Sequence, residues 1–466
     1  MLVLLAATPI IGVLAALLLR QSALRAAVIG LVLAAVIAIG WFSTTVEELA
    51  YAVGGWWPVG LEVLAIIAGG LAFAEIGRRT GAQQAVSGWL ERSLGTGVAP
   101  VLAIVHGVTP LAESLTGFGV GAAIAVPLLA ALGLDGRRAA IVGLLGLCAV
   151  PWGSMAPGTL IAAQLGGVGF HELGVASAII SLPVFAGVGI AAALLVCAPG
   201  GRLKAVAAAL ASALVLWLGV LGANAAIGTP PAGALGALLA LAAHLLLGRA
   251  RGRRPSWPSE VRRAARPYLL LIGGVVAMMI AVRVAGAEGT GWRALASPAL
   301  WLFIATVAAA RGLPGALRAA APGVAAGWWR AGPATALFLV FGIVMSVSGM
   351  SAQLAGALAA LGGGYLLVLP AIAALGGFMT GSNSGANAMF AAPQAQAVTA
   401  IGADLLPAMA VHNVSAALFM MASPARVELA VQLTRDRPRA AAVQRTVLLI
   451  DLAILAVLTA MLLLHG

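Results

Sequence analysis

The sequence predicts an all-α polytopic membrane protein of two inverted-topology repeats, with broken helices or re-entrant hairpins: about 12 full crossings plus two hairpins. Three observations carry this prediction. Of 466 residues, 62% are hydrophobic and 9% are charged, against ~25% charged in a soluble domain. Apolar stretches of ~20 residues, the length a helix needs to cross a bilayer, recur from end to end. A Gly-rich motif, Thr116-Gly117-Phe118-Gly119-Val120-Gly121-Ala122, returns in outline as Thr380-Gly381-Ser382-Asn383-Ser384-Gly385-Ala386.

The crossings follow in order. The first, 2–19, has no basic residues before it and reads as a membrane helix, not a cleaved signal peptide. Arg20 and Arg25 flank the start of the second, 24–43. The third, 55–77, follows Glu47 and Glu48 and closes on Glu75 and Arg78, whose spacing of three predicts a helix-end ion pair. After the Gly-rich stretch 99–133, Arg137 and Arg138 open a crossing at 138–165, followed by 174–197, 204–225 and 231–248. An Arg-rich loop, 249–266, separates these from 267–286, 295–310 and 332–350. A second Gly-rich stretch, 352–400, precedes the last two crossings, 403–423 and 446–464.

Charge sets the orientation. With both termini outside, every one of the 26 Lys and Arg residues except Arg283 and Arg293 falls in an inner loop. Outer loops hold Glu47, Glu48, Glu172 and Glu288. So lopsided a split is the positive-inside pattern of a multi-pass plasma-membrane protein. It also explains the net charge of +12 without nucleic acid. Cys148 and Cys197 lie in apolar runs and read as small core residues, neither disulfide nor metal ligands. No cofactor is indicated: Gly117-Phe-Gly119-Val-Gly121 has no βαβ context and is not a nucleotide loop.

Under this topology 138–165 runs outward and 403–423 runs inward, so the copies are inverted. Residues 1–200 form the first repeat and 266–466 the second, with 201–265 as linking helices and basic cytoplasmic loop. Ser154-Met155-Ala156-Pro157 is answered by Met421-Ala422-Ser423-Pro424. Gly/Pro-interrupted segments at matching positions of inverted halves point to a transporter's binding site.

Two segments carry the chemistry. In the first, Pro110 and the glycines break a helix around Glu113, Ser114, Thr116, Gly117 and Gly119. Broken backbone is tolerated at membrane depth only where it is buried or lines a cavity. Freed N–H groups at a helix start attract anions. An intramembrane Glu113, costing ~2.5–3.5 kcal/mol on insertion scales, is the candidate coupling-ion site, alternatively a cap of the broken helix. His106 lies seven residues earlier, two turns along one face if the helix is continuous, and is the second candidate for the coupling ion, alternatively a packed polar residue. Asp451, six residues after Arg445, is expected at the interface. In the second segment Thr380, Ser382, Asn383, Ser384 and Asn387 place five hydrogen-bonding side chains in an apolar stretch, and His412, Asn413 and Ser415 add more. Such groups are costly there unless they meet a ligand, water or one another.

Both segments resemble the L-lactate permease family. Glu113-Ser-Leu-Thr-Gly117-Phe118-Gly119, followed by Ala162-Ala-Gln164-Leu-Gly166, is similar to its first signature. Phe378-Met-Thr380-Gly381-Ser382-Asn383-Ser384-Gly-Ala-Asn387-Ala-Met-Phe390, with Asn413-Val-Ser415 and Ser423-Pro424, is similar to its second. Asn383 stands where an Asp is common, Val414 replaces a Thr, and no Lys precedes Ser423-Pro424. The resemblance implies a symporter for small monocarboxylates such as lactate or glycolate, driven by protons or, alternatively, sodium. The expected partners are thus a small carboxylate, the coupling ion and the bilayer. Two other functions compete: a carrier or channel for another small anion, and an intramembrane serine protease using Ser384 with His412.

Overall fold

The computed structural model describes residues 1–252, 256–287, 289–311 and 313–465. Arg253, Arg254 and Glu288, which entered the charge argument, lie outside the described residues. The first half comprises α1 (Leu2–Leu18), α2 (Ala23–Trp41), α3 (Val46–Gly55), α4 (Trp57–Arg79), α5 (Ala82–Leu94), α6 (Val98–Ala103), α7 (Thr109–Thr116), α8 (Val120–Ala131), α9 (Gly136–Leu145), α10 (Pro157–Gly166), α11 (Phe170–Ile180) and α12 (Leu182–Val196). Two long helices follow, α13 (Arg202–Ala226) and α14 (Thr229–Ala250). The second half comprises α15 (Ser259–Val284), α16 (Pro298–Ala310), α17 (Ala316–Val347), α18 (Met350–Ala359), α19 (Tyr365–Thr380), α20 (Asn383–Ala400), α21 (Leu405–Phe419), α22 (Pro424–Gln432) and α23 (Ala440–His465).

Among the described residues, 11 helices are long and apolar enough to cross a membrane, or 12 if the pair α11–α12, bent by 43°, counts as one. The fold is therefore the polytopic helical one that the hydropathy predicts. Local chemistry sets the helix starts: Ser22 caps α2 through the Arg25 N–H, Thr45 and Glu48 form a capping box on α3, and Asp135 caps α9. Glu75 pairs with Arg78 at 2.7 Å at the end of α4, as its spacing predicted, and also with Arg79 at 2.6 Å.

Burial separates the outer helices from the core. The α2 span is 33% buried and exposes Val32, Val36 and Ile39 to the lipid side. The span over α9 and the turns after it is 89% buried, and that over α21 is 83%. These central elements carry the breaks, which places freed backbone inside protein, where it is tolerated.

Two expectations are revised. The crossing read at 138–165 is two elements: α9 passes into 3₁₀ turns over Gly146–Met155, then α10 restarts at Pro157. Pro151 and Pro157 remove backbone donors there, and the chain kinks instead of continuing. The crossing read at 332–350 begins at Ala316, because Pro322 and Pro333 sit inside one 32-residue helix without ending it. Asp451 is fully buried on α23.

Both Gly-rich stretches are helical hairpins. α8 packs back on α7, and α20 packs back on α19. Their turns lie inside the protein, facing one cavity.

Candidate functional site

The first hairpin is shaped by Pro110. A proline clashes with the carbonyl four residues earlier, here that of His106. The chain accommodates this with a π-helical turn over Ile104–Val108, and α7 then starts at Thr109. It ends at Thr116, after which Gly117, Phe118 and Gly119 all take positive φ (71°, 57° and 84°). Glycine makes that conformation inexpensive at two of the three positions. Glu113 reaches across the turn and accepts the Gly119 N–H at 3.0 and 3.1 Å and the Gly121 N–H at 3.1 Å. A buried carboxylate thus closes the positive N-terminal end of α8.

The second hairpin turns at Gly381, whose φ of 61° ends α19. Ser382 caps α20 by accepting the Gly385 N–H at 3.2 Å. The Thr380 hydroxyl shares its one proton between Gly376 O at 2.8 Å and Ser382 O at 2.9 Å. Behind this turn three asparagines tie four helices together. Asn413 Oδ1 accepts from Asn383 at 3.1 Å and from Asn387 at 3.0 Å. Asn413 Nδ2 in turn donates to Thr159 at 3.0 Å and Ser177 at 3.1 Å, while Asn387 also donates to Gly158 O at 2.9 Å.

The second pair of matched breaks meets the same place. Ser154, Met155 and Ala156 hold three successive positive φ values before Pro157. In the other half, Ser423 caps α22 ahead of Pro424. Packing is close: a Cβ on Gly117 would lie 2.7 Å from Ser154 Cβ, and one on Gly158 would lie 2.8 Å from Asn383 Nδ2.

Between these breaks is a cavity of about 210 Å³. It is smaller than the ~300–1,000 Å³ of sites for drug-sized ligands. Glu113, Gly117, Phe118 and Ser154 line it from the first half, and Thr380, Gly381, Ser382, Asn383 and Ser384 from the second. Thr335 and Phe338 of α17 form a wall. Two cations complete it, Arg330 on α17 and Arg426 on α22. The Arg426 Nε–H donates to Gly381 O at 3.4 Å, and among the described residues neither arginine pairs with a carboxylate.

The structure therefore brings together Glu113, Gly117, Thr380, Ser382, Asn383 and Ser384. Gly119 lies just behind the lining, against the Arg426 guanidinium. Ser114 and Thr116 are buried on α7, with Thr116 donating to Ala112 O at 2.6 Å. Asn387 and Asn413 belong to the asparagine network. His412 and Ser415 are fully buried in α21 and make no hydrogen bond among the described residues, so Ser384 and His412 do not form a dyad. His106 sits in the π turn, on the α12–α13–α14 side.

Arg330 and Arg426 are the residues that sequence reading missed. Both were assigned to inner loops because charge beside an apolar run reads as a loop. One signal was present for Arg426: it lies two residues beyond Ser423-Pro424, the end of the second motif.

The chain belongs to the L-lactate permease family, which matches residues 2–280 and 317–464. No curated relative matches it in sequence. Among solved structures it is similar to the YdaH transporter of Alcanivorax borkumensis, whose crystal structure is described as revealing an unusual topology. The TM-score is 0.51 and the identity 16%, over 89% of this chain and 86% of that one. That likeness shows a shared fold. Family and helix count together make the chain a multi-pass membrane transporter of the lactate-permease type.

Proposed function

We propose that the protein is a proton-coupled symporter of small 2-hydroxymonocarboxylates such as lactate or glycolate, and that the central cavity binds them. One observation carries this reading: both family motifs turn back at the same cavity, where Arg330 and Arg426 stand among the hydroxyls of Ser154, Thr380, Ser382 and Ser384. A guanidinium recognises a carboxylate as a fork of donors, and the hydroxyls offer a partner to a 2-hydroxyl group. The start of α20 adds the positive end of its dipole. Asn387 and Asn413 act indirectly, by fixing Asn383 at the rim.

Symport needs a group that carries the ion with the substrate, and Glu113 and His106 are the proposed coupling residues. Glu113 shares the cavity with the substrate, so its protonation and anion binding are electrostatically linked. The charge distribution further supports both termini outside the plasma membrane, and the matched breaks support repeats at 1–200 and 266–466.

The test is uptake of labelled lactate, glycolate and a panel of other acids into vesicles containing the purified protein, under an imposed pH gradient. Accumulation above the outside concentration, driven by the gradient and confined to short hydroxy acids, is expected. Equilibration without accumulation would mean a channel, and accumulation that needs sodium but ignores pH would replace the ion.

A further inference from the structure

We infer that His244, Ser212 and His106 form a proton wire leading from the end of α14 to the first broken helix. The inference rests on the proton-coupled reading above and assigns a route to the coupling proton. Three helices meet around one buried hydroxyl. Ser212 Oγ on α13 lies 2.8 Å from His106 Nδ1 and 2.8 Å from His244 Nε2 on α14. His106 Nε2 lies 3.0 Å from the carbonyl oxygen of Phe185 on α12. His106 and Ser212 are buried, whereas His244 is half-buried. His244 precedes the Arg249 end of α14 by five residues, about 8 Å at 1.5 Å per residue.

The direction of the chain follows from its last acceptor. A carbonyl only accepts, so His106 Nε2 must carry a proton. In neutral His106, Nδ1 is then bare and must accept, so the Ser212 hydroxyl donates to it. Ser212 Oγ is left as acceptor for the Nε2–H of His244. In neutral His244 the free site is Nδ1. A proton arriving at His244 Nδ1 allows its Nε2 proton to pass to Ser212 Oγ, whose own proton passes to His106 Nδ1. His106 then holds both ring protons and the positive charge, seven residues before Glu113, and His244 is neutral in the other tautomer. One proton enters and one charge moves, with no other bond changed.

Packing keeps the chain together. A Cβ on Gly189 would collide with the His106 ring, and one on Gly107 would lie 2.9–3.2 Å from Leu241, including its backbone. The two glycines let α12 and α14 close on the π turn. Of the other titratable groups around it, Cys148 approaches Val105 O at 3.8 Å, and Glu113 follows on the same segment. Arg137, Arg138, Arg202, Lys204 and Arg249, with Glu91 and Arg92 of α5 and the charged side chains of α15, are exposed. His171 and Glu172 lie in the first turn of α11.

The experiment uses the full chain in vesicles with a trapped pH-sensitive dye. Ser212→Ala should slow lactate-driven proton entry at least tenfold while lactate exchange at equal pH stays within twofold of the parent; Ser212→Thr, which keeps the hydroxyl, should restore proton entry. Parent-like proton entry in Ser212→Ala would overturn the wire and leave the transport reading standing. If lactate moves no protons even in the parent, the coupling reading fails, and the wire is judged by nitrogen-15 histidine spectra. Those spectra should show His106 and His244 both protonated at Nε2 in the parent, and His244 released to a tautomer mixture in Ser212→Ala. Unchanged spectra in the variant would likewise overturn it.

Discussion

Gly119 and Arg426 touch across the two halves: a Cβ added to Gly119 would collide with Nη1 of the Arg426 guanidinium. The turn of the first hairpin thus packs on the cation that the second half contributes to the cavity. Position 119 needs glycine twice over, for its φ of 84° and for this contact.

Gly119→Ala should therefore displace Arg426 as well as strain the backbone by ~1–2 kcal/mol. Gly167→Ala is the control, because Gly167 also has positive φ (68°) but open space around its Cβ position. Both variants should lose comparable thermal stability, and only Gly119→Ala should raise the KM for the carboxylate. Equal KM values would show that Arg426 does not depend on this contact.

Removing the cation itself is the sharper probe. A hydrogen bond to a charged group contributes ~1.5–3 kcal/mol, so Arg426→Gln should raise the substrate Kd roughly 10- to 150-fold. Arg330 is exposed at the mouth of the cavity, so Arg330→Gln should have the smaller effect and the stronger dependence on salt. Calorimetric titration with lactate at two salt concentrations measures both. A larger loss at Arg330 would reverse the assignment.

The asparagine network should separate stability from binding. Asn413→Ala strands the amide of Asn383 and leaves Asn387 only its bond to Gly158 O, at ~1–3 kcal/mol for each buried group left unpaired. Its main effect should be a lower unfolding midpoint in detergent. Ser384→Ala, at the cavity wall, should instead weaken affinity by ~0.5–1.5 kcal/mol with little change in midpoint. If Asn413→Ala unfolds like the parent but binds substrate poorly, Asn413 is a direct ligand.

What the sequence discloses and what it hides divide along physical lines. Hydropathy and Gly/Pro breaks are local signals, so the membrane fold and the places of the two Gly-rich breaks were legible from residues such as Gly117, Gly119 and Gly381, whereas the kink after α9 and the full length of α17 were not. The asparagine network was half legible: five polar side chains in an apolar stretch demand partners, but Thr159 and Ser177 come from distant parts of the chain. Arg330 was concealed because α17 runs through Pro322 and Pro333 without ending, so an arginine in mid-helix looks like the edge of a loop. The burial of Asp451 was hidden for a similar reason: its distance from Arg445 is visible along the chain, but the helices that pack over it are not.

Glu113 poses the last question, whether a carboxylate that caps α8 also carries the coupling proton. Glu113→Gln keeps the size, but its amide offers one acceptor oxygen where two oxygens now receive the Gly119 and Gly121 N–H groups. The variant should therefore lose some stability, on the order of one unmet hydrogen bond or ~1–3 kcal/mol. Capping alone predicts nothing more. The coupling role predicts a separate loss, because Gln neither releases nor takes up a proton. Symport of one proton with one monoanion moves no net charge, so the driving force is the pH gradient, ~1.4 kcal/mol or tenfold per unit. Under a one-unit gradient the parent should approach tenfold accumulation of substrate, while Glu113→Gln should only equilibrate it yet still exchange labelled for unlabelled substrate. Exchange shows that the cavity survives, so failure to accumulate cannot be ascribed to misfolding. If the variant accumulates like the parent, Glu113 is a helix cap, and the coupling proton resides on the His106 side of the broken helix.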